Sequence, residues 1–299
     1  MMRFPIFLAA IAASTLTVTA TVDAAAPTEF SFHVRDEGDG AKIRADFRRL
    51  DREHSQWNSS FRLADLAGLE RSQLLAAGQA PVQFAIVRDA GRLDCAGTGA
   101  SGKATGRCRF TADQAFVDYL RTSGVTRLSG EDAYAMTAVG VRRDLVTAIR
   151  QASYPAPSAE NLIALSALGA DREYIDDMSG AGYRPESIER LIEFRALGIT
   201  PDYIAGMKRI GFGQATGSQL VQFKALGIDA EYIESVRRAG YTNLPPSTLV
   251  EFKALGITES YIDEVRKAGY GRIEPSKLVQ MKALGIGPAD LHATEAKKR

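Results

Sequence analysis

The chain is poor in the residues that most often do chemistry. Of its 299 residues, three are histidine and two are cysteine. His33, His54 and His292 share no metal-ligand spacing with one another or with a cysteine pair, so the common zinc motifs are excluded. No Gly-x-Ser-x-Gly elbow marks a serine nucleophile. Charge of one sign is missing too: 37 basic and 36 acidic residues leave a formal +1. A chain so balanced lacks the broad positive field of non-specific nucleic-acid binding, and no nucleic-acid partner is expected. Beyond the N-terminus no apolar run approaches the ~18–20 residues of a spanning helix, so no membrane insertion is expected of the mature chain.

What is present begins with an export signal. Arg3 supplies a small positive region, and Phe4 to Ala20 form an uncharged, mostly apolar run. Small residues follow, and cleavage is expected near Ala24 to Ala26. The run is short and rich in threonine, which favours a cleaved signal over a retained anchor. Residues 1–26 are therefore read as a signal peptide, and the location as periplasmic or secreted.

The rest of the chain carries an internal repeat. The phrase Ala-Leu-Gly places its glycine at Gly169, Gly198, Gly227, Gly256 and Gly285, always 29 residues apart. A second column holds Tyr174, Tyr203, Tyr232 and Tyr261. A third holds Gly182, Gly211, Gly240 and Gly269, each followed by an aromatic residue. Degraded rungs stay in register at Gly140, at Ser153-Tyr154 and at Gly124-Val125.

Each unit encodes two short helices. In the first, here called A, the stretch Leu220-Val221-Gln222-Phe223-Lys224-Ala225-Leu226 shows helical apolar spacing. Its starts are marked by Ser129, Ser158, Ser187 and Thr216 as caps, and by Pro246 and Pro275 in the first turn. The glycine after each leucine suits the left-handed residue that closes a helix. The second helix, B, is opened by Asp171, Thr200, Asp229 or Thr258, and it ends at the third glycine column. Helices of about 10–12 residues are marginal alone in water, so neighbouring units must bury one another's apolar faces.

Residues 27–110 lack the period. Phe30 to Val34 and Lys42 to Phe47 alternate as a hairpin around an Asp/Gly turn, and Val82 to Val87 is a third strand. If residues 91–98 and 105–112 pair around Ser101-Gly102, Cys95 faces Cys108 and a cross-strand disulfide can form. Two buried free thiols are the alternative. Leu63 to Ala77 reads as helical or irregular. The expected fold class is α+β: a small antiparallel β domain at 27–110, then an α-solenoid of about six helix–turn–helix units within 111–299.

Few residues remain as site candidates. Gly97-Thr98-Gly99 lacks the spacing of a phosphate loop and is read as a turn. Asp176-Asp177 sits near a helix start, where acids favour the dipole. Arg195, Lys224, Lys253 and Lys282 place a cation in the last turn of successive A helices. They are either a basic column for a protein partner or simple helix-end charges. The tyrosine column is read as core, with hydroxyls reaching a neighbouring cap.

The unit at 249–270, Leu249-Val250 through Phe252-Lys253-Ala254-Leu255-Gly256 to Tyr261-Ile262 and Gly269-Tyr270, resembles repeats in exported bacterial proteins of uncharacterised function. Similar arrays accompany some membrane-bound BlaR-type regulatory peptidase domains. The stretch from Phe84 to Phe110 resembles a segment that precedes such arrays, with Cys95 and Cys108 where aromatic residues are usual. The resemblance implies a bacterial envelope setting and hands over no catalytic residue, metal or cofactor. No His-Glu-x-x-His occurs in this chain.

The sequence therefore predicts a non-catalytic, extracytoplasmic protein-binding or scaffolding protein that needs no cofactor. The alternatives are an envelope regulatory partner of a membrane sensor or peptidase and, more remotely, a hydrolase with its site in the N-terminal domain.

Overall fold

The computed structural model describes residues 28–38, 42–51 and 56–287. The signal-peptide segment, His54, His292 and the basic C-terminus lie outside the described residues. The fold is mixed α+β, with a six-stranded antiparallel sheet followed by an all-helical part.

The sheet is built from β1 (Glu29–Asp36), β2 (Lys42–Arg49), β3 (Gln56–Arg62), β4 (Ala80–Arg88), β5 (Gly91–Ala100) and β6 (Lys103–Ala112). Between β3 and β4 come a single 3-10 turn (Leu63–Asp65) and the short helix α1 (Arg71–Leu75), in the stretch expected to be helical or irregular. The strand order is β3-β2-β1-β6-β5-β4, so two three-stranded meanders join along β1 and β6. The expected hairpins are present, and Cys95 pairs directly with Cys108. β3 was not foreseen. Alternation sorts the strands into two faces. Phe30, Phe32, Val34, Ile43, Phe47, Leu93 and Phe110 point into a core, and the opposite face is polar. At one close approach the strands need glycine on both sides, because a Cβ on Gly97 would meet the Thr105 carbonyl oxygen at 2.0 Å.

The helical part begins with α2 (Gln114–Thr122), a B-type helix. A-type helices follow as α3 (Gly130–Val139), α5 (Ala159–Ala167), α7 (Ile188–Ala196), α9 (Gly217–Leu226), α11 (Pro246–Ala254) and α13 (Pro275–Ala283). B-type helices alternate with them as α4 (Arg143–Gln151), α6 (Arg172–Gly180), α8 (Pro201–Met207), α10 (Ala230–Arg238) and α12 (Glu259–Val265). Each A-type helix packs on the next of its kind, α3 on α5 through to α11 on α13. Among B-type helices α4 packs on α6, α6 on α8, and α10 on α12. Among the described residues no helix is long and apolar enough to cross a membrane.

The caps fall where the sequence puts them. The side chains of Ser129, Ser158, Ser187 and Thr216 accept a backbone N–H at the start of A helices, and those of Asp171, Thr200, Asp229 and Thr258 do so for B helices. All the column glycines from Gly124 to Gly285 have φ between 67° and 97°, the left-handed region that closes a helix. Ser153 stands in the same column and also adopts a left-handed φ, 58°.

The A helix buries only part of its apolar stretch. Ala-Leu-Gly is the loudest phrase in the sequence, yet its alanine is exposed in α5, α7, α9, α11 and α13. The leucine is half-buried at best, and Leu284 is 69% exposed. The true core anchors are Leu191 and Phe194 with their equivalents, and the isoleucine that follows the glycine. Ile199, Ile228 and Ile257 are fully buried.

Sheet and helices meet through α3 and α4. Tyr134 of α3 stacks on Phe30 with ring centroids 4.5 Å apart, and it meets Phe110 edge-on at 5.5 Å. Burial pushes its phenol up to about 12. Arg49, only 6% exposed, donates to Asp51 at 2.6 and 2.8 Å and also to Glu131 of α3. Two consecutive residues at the end of β4 then serve opposite helix ends. Arg88 donates to the Thr137 and Ala138 carbonyls at the C-terminus of α3, at 2.7 and 2.6 Å. Asp89 accepts from the Arg143 N–H at the start of α4, at 2.8 Å. Each charge sits at the helix end that its sign favours.

Candidate functional surfaces

The basic column runs along the last turns of the A helices. Each cation sits in the last turn of its own A helix, and its head group lies over a tyrosine of the preceding unit. The Arg195 guanidinium is 5.0 Å from the Tyr174 ring centroid. The ammonium groups of Lys224, Lys253 and Lys282 lie 4.7, 4.2 and 4.0 Å from the rings of Tyr203, Tyr232 and Tyr261. Arg195 also donates to the Leu168 carbonyl at 3.0 Å, at the end of the preceding A helix. The column therefore caps and covers its neighbour, and the four head groups are engaged within the chain.

The tyrosines complete the same joint. Their hydroxyls donate to the carbonyl of the residue after the next Ala-Leu-Gly. Tyr174 reaches Ile199 at 2.8 Å, Tyr203 reaches Ile228 at 2.8 Å, Tyr232 reaches Ile257 at 3.0 Å and Tyr261 reaches Ile286 at 3.1 Å. Burial pushes the Tyr174 and Tyr232 phenols up to about 12 and raises those of Tyr203 and Tyr261. Tyrosine is core here, as expected, and each ring links two units through its face and its hydroxyl.

A second ladder escaped the sequence reading. At the ends of B helices Arg237 donates to the Ile210 carbonyl and Arg266 to the Ala239 carbonyl, both at 2.6 Å. Lys208 stands at the same place beside Gly182. These positions also step by 29, so the period itself could have found them. The first A helix has Ser166 where a cation would come from the next unit, and Arg88 of the sheet takes over the task.

The remaining candidates resolve simply. Cys95 and Cys108 are joined as a disulfide with Cα atoms 4.0 Å apart. Residues 97–99 lie inside β5, and the turn is only Ser101-Gly102, so the expected turn is shorter than the glycine-rich stretch. Asp176 pairs with Arg172 at 3.3 Å on the surface of α6. His33 lies on the polar face of the sheet. Among the described residues no three histidine, cysteine or acidic side chains cluster as a metal site would need.

Two exposed surfaces stand out among the described residues. One is the line of Ala-Leu-Gly edges along the A helices. The other is the polar face of the sheet, which carries two shallow depressions. One, of about 570 Å³, is bordered by Arg92, Arg107, Arg109, Gln83 and Ala96. The other, of about 420 Å³, is bordered by Ser31, His33, Asp46, Arg48 and Asn58. Comparison with known proteins gives no matching family model and no matching curated sequence.

Proposed function

We propose that this chain is a non-catalytic binding or scaffolding protein of the bacterial envelope, periplasmic or secreted, whose helical part is an α-solenoid that holds a protein partner. The partner seats along the Ala-Leu-Gly edge of the A helices.

The observation that carries this reading is the exposure of Ala167, Ala196, Ala225, Ala254 and Ala283. Packing does not require alanine at an exposed site, yet the unit repeats it while other exposed positions change. Gln222, Glu251 and Gln280, for example, differ in type. Small side chains beside a half-exposed leucine let a partner come close to several units at once. The stacking of like helices supports a solenoid, which offers such extended surfaces. The disulfide favours an oxidising compartment. The resemblance to exported repeat proteins supports the envelope setting.

The basic column is a poor probe of this idea, because reversing Lys224 or Lys253 would break joints between units. Arginine at Ala196, Ala225 and Ala254 is the better test. The triple variant should keep its helical circular dichroism and its melting temperature, while capture of its partner from an envelope extract falls at least tenfold. Undiminished capture by a normally folded variant would remove the Ala-Leu-Gly edge from the binding surface.

A further inference from the structure

The polar face of the sheet carries more positive charge than the balanced chain would suggest, and the charge is ordered. Strand register places Arg44, Arg35 and Lys103 side by side on β2, β1 and β6. Like charges directly opposite one another on adjacent strands cost stability, so this row is not explained by the fold. A second group, Arg48, Arg107 and Arg109, lies nearer the other end of the same strands. Arg48 and Arg107 flank Ser31 from either side. Four residues of strand separate Arg35 from Ser31, which is about 13–14 Å.

Between the two cationic groups runs a row of hydrogen-bonding side chains. Asn58, Asp46, His33, Thr105 and Thr98 follow one another across β3, β2, β1, β6 and β5. The depression beside Asn58 and His33 and that beside Ala96 and Arg107 lie on either side of the β1–β6 seam.

The acids on this face do not neutralise it. Glu29 is shared between Arg107 and Arg109 at 3.9 Å from each. Arg35 meets Asp46 at 3.5 Å, and Arg44 meets Glu37 at 4.0 Å. Asp94, opposite Arg109 on β5, is held by Arg92 at 2.6 Å. All these groups are well exposed, and exposed pairs hold little energy and exchange readily. Arg48 and Lys103 make no ion pair among the described residues.

We propose that this face binds a linear acidic polysaccharide. The chain would lie across the strands along this row, its hydroxyls meeting Asn58, His33, Thr105 and Thr98, and donating to Asp46, whose charge Arg35 offsets at 3.5 Å. Its acid groups would reach the cations on both sides. Charge complementarity calls for a polyanion, and the rest of the face selects among polyanions. Among the described strand residues its apolar side chains are Pro81, Ala85, Val87, Ala96 and Ala100, too few and too small to insert into lipid. Among the described residues no aromatic ring points out of it to stack a nucleic-acid base. A strip of hydroxyl, amide, imidazole and carboxylate groups suits sugar hydroxyls.

Retention of the mature chain on immobilised alginate tests this, with dextran, polyglutamate and phosphatidylglycerol vesicles as comparisons. Alginate should retain the protein, release it as salt rises, and be preferred over all three. Arg48→Glu with Arg107→Glu, and separately Arg35→Glu with Arg44→Glu, should each weaken retention at least tenfold. The milder Arg48→Gln with Arg107→Gln pair should act in the same direction if the charge reversals disturb folding. Asn58→Ala with Thr105→Ala should weaken alginate binding severalfold and leave the weaker polyglutamate binding unchanged. Equal or stronger binding to polyglutamate or vesicles, full retention by the charge variants, or no binding to alginate would each overturn the proposal.

Discussion

The two parts of this chain solve one problem in opposite ways. The sheet is held by partners distant in sequence: Phe30 of β1 lies opposite Cys108 of β6, and Arg49 reaches Glu131. None of its contacts is repeated. The helical part is held by one joint made again and again, with a cation over a tyrosine and a hydroxyl on the next carbonyl. A sheet of this kind should fold or fail as a whole, whereas a chain of similar joints should yield locally, because the main packing of its helices is between adjacent units. Arg88 and Asp89 are where the two schemes meet: Arg88 serves the end of α3, for which the next unit offers Ser166 in place of a cation, and Asp89 serves the start of α4, where the cap position holds Arg142.

The strongest way to break the comparison is to remove one core ring from each side. Phe223 and Phe47 are both almost fully buried, and each packs on another ring, Phe212 at 5.6 Å and Trp57 at 4.7 Å. Alanine at either site should cost about 3–5 kcal/mol. Hydrogen exchange should separate them. Phe223→Ala should expose amides of α7 to α11 and leave β1 to β6 protected. Phe47→Ala should expose the sheet as one unit. If either variant loosened both regions equally, the chain would be a single cooperative body.

The disulfide gives a smaller, one-sided perturbation. Cys95 and Cys108 are 13 residues apart, and replacing both with alanine should cost about 2–3 kcal/mol by freeing the unfolded loop. The transition of the sheet should move down by several degrees. The transition of the helices, followed at 222 nm, should stay in place.

The same contrast explains what could be read from the sequence. The helices announced themselves because their signals recur: a cap residue, a pair of apolar anchors and a glycine, in fixed register. The pairing of Cys95 with Cys108 was legible because a short glycine-containing turn leaves few registers. β3 was missed for a physical reason. In Gln56-Trp57-Asn58-Ser59-Ser60-Phe61-Arg62 the inward position between Trp57 and Phe61 is Ser59, so alternation is lost at the middle of the strand. The helical joint was half visible. Tyrosine and lysine columns could be seen, but only the distance between them shows that each cation serves the preceding unit. The row of Arg44, Arg35 and Lys103 was hidden altogether, because it depends on the β1–β6 pairing of strands nearly seventy residues apart.

Removing one hydroxyl from the joint tests whether it carries the array. Tyr232→Phe leaves the buried Ile257 carbonyl without its donor and should cost about 1–2 kcal/mol. The effect has a pH signature. Burial holds the phenols of Tyr154, Tyr174 and Tyr232 up to about 12, above the ordinary value near 10. The folded state therefore keeps protons that the unfolded chain releases. The contribution is complete below pH ~10 and is lost as pH rises toward 12. Thermal melts between pH 9 and 12 should show the helical transition falling, with a shallower slope for Tyr232→Phe. A slope unchanged by the substitution would show that Tyr232 is not one of the groups responsible.

The smallest effect is the one with opposite sign. Ser153 occupies the glycine column, exposed, with φ 58°, and its own backbone is already well served. Its N–H donates to the Arg150 carbonyl at 3.0 Å, and its carbonyl accepts from Arg184 at 2.8 Å. Only the Cβ conflicts with the left-handed conformation, at about 1–2 kcal/mol. Glycine would remove that strain but would also loosen the unfolded chain by about 0.4–1 kcal/mol. Ser153→Gly should therefore stabilise by about 0.5–1 kcal/mol, a rise of roughly one to four degrees in the helical transition. The reciprocal change, Gly182→Ser, puts a Cβ at φ 74° and 3.2 Å from the Lys208 ammonium, a flexible end that can move aside. It should cost about as much as the first change gains. If repeats yield locally, the gain should appear as slower exchange in α4 and α6 alone. A gain spread evenly into β1 to β6 would mean that the joint at Arg88 and Asp89 couples the sheet to the array more tightly than the units couple to one another.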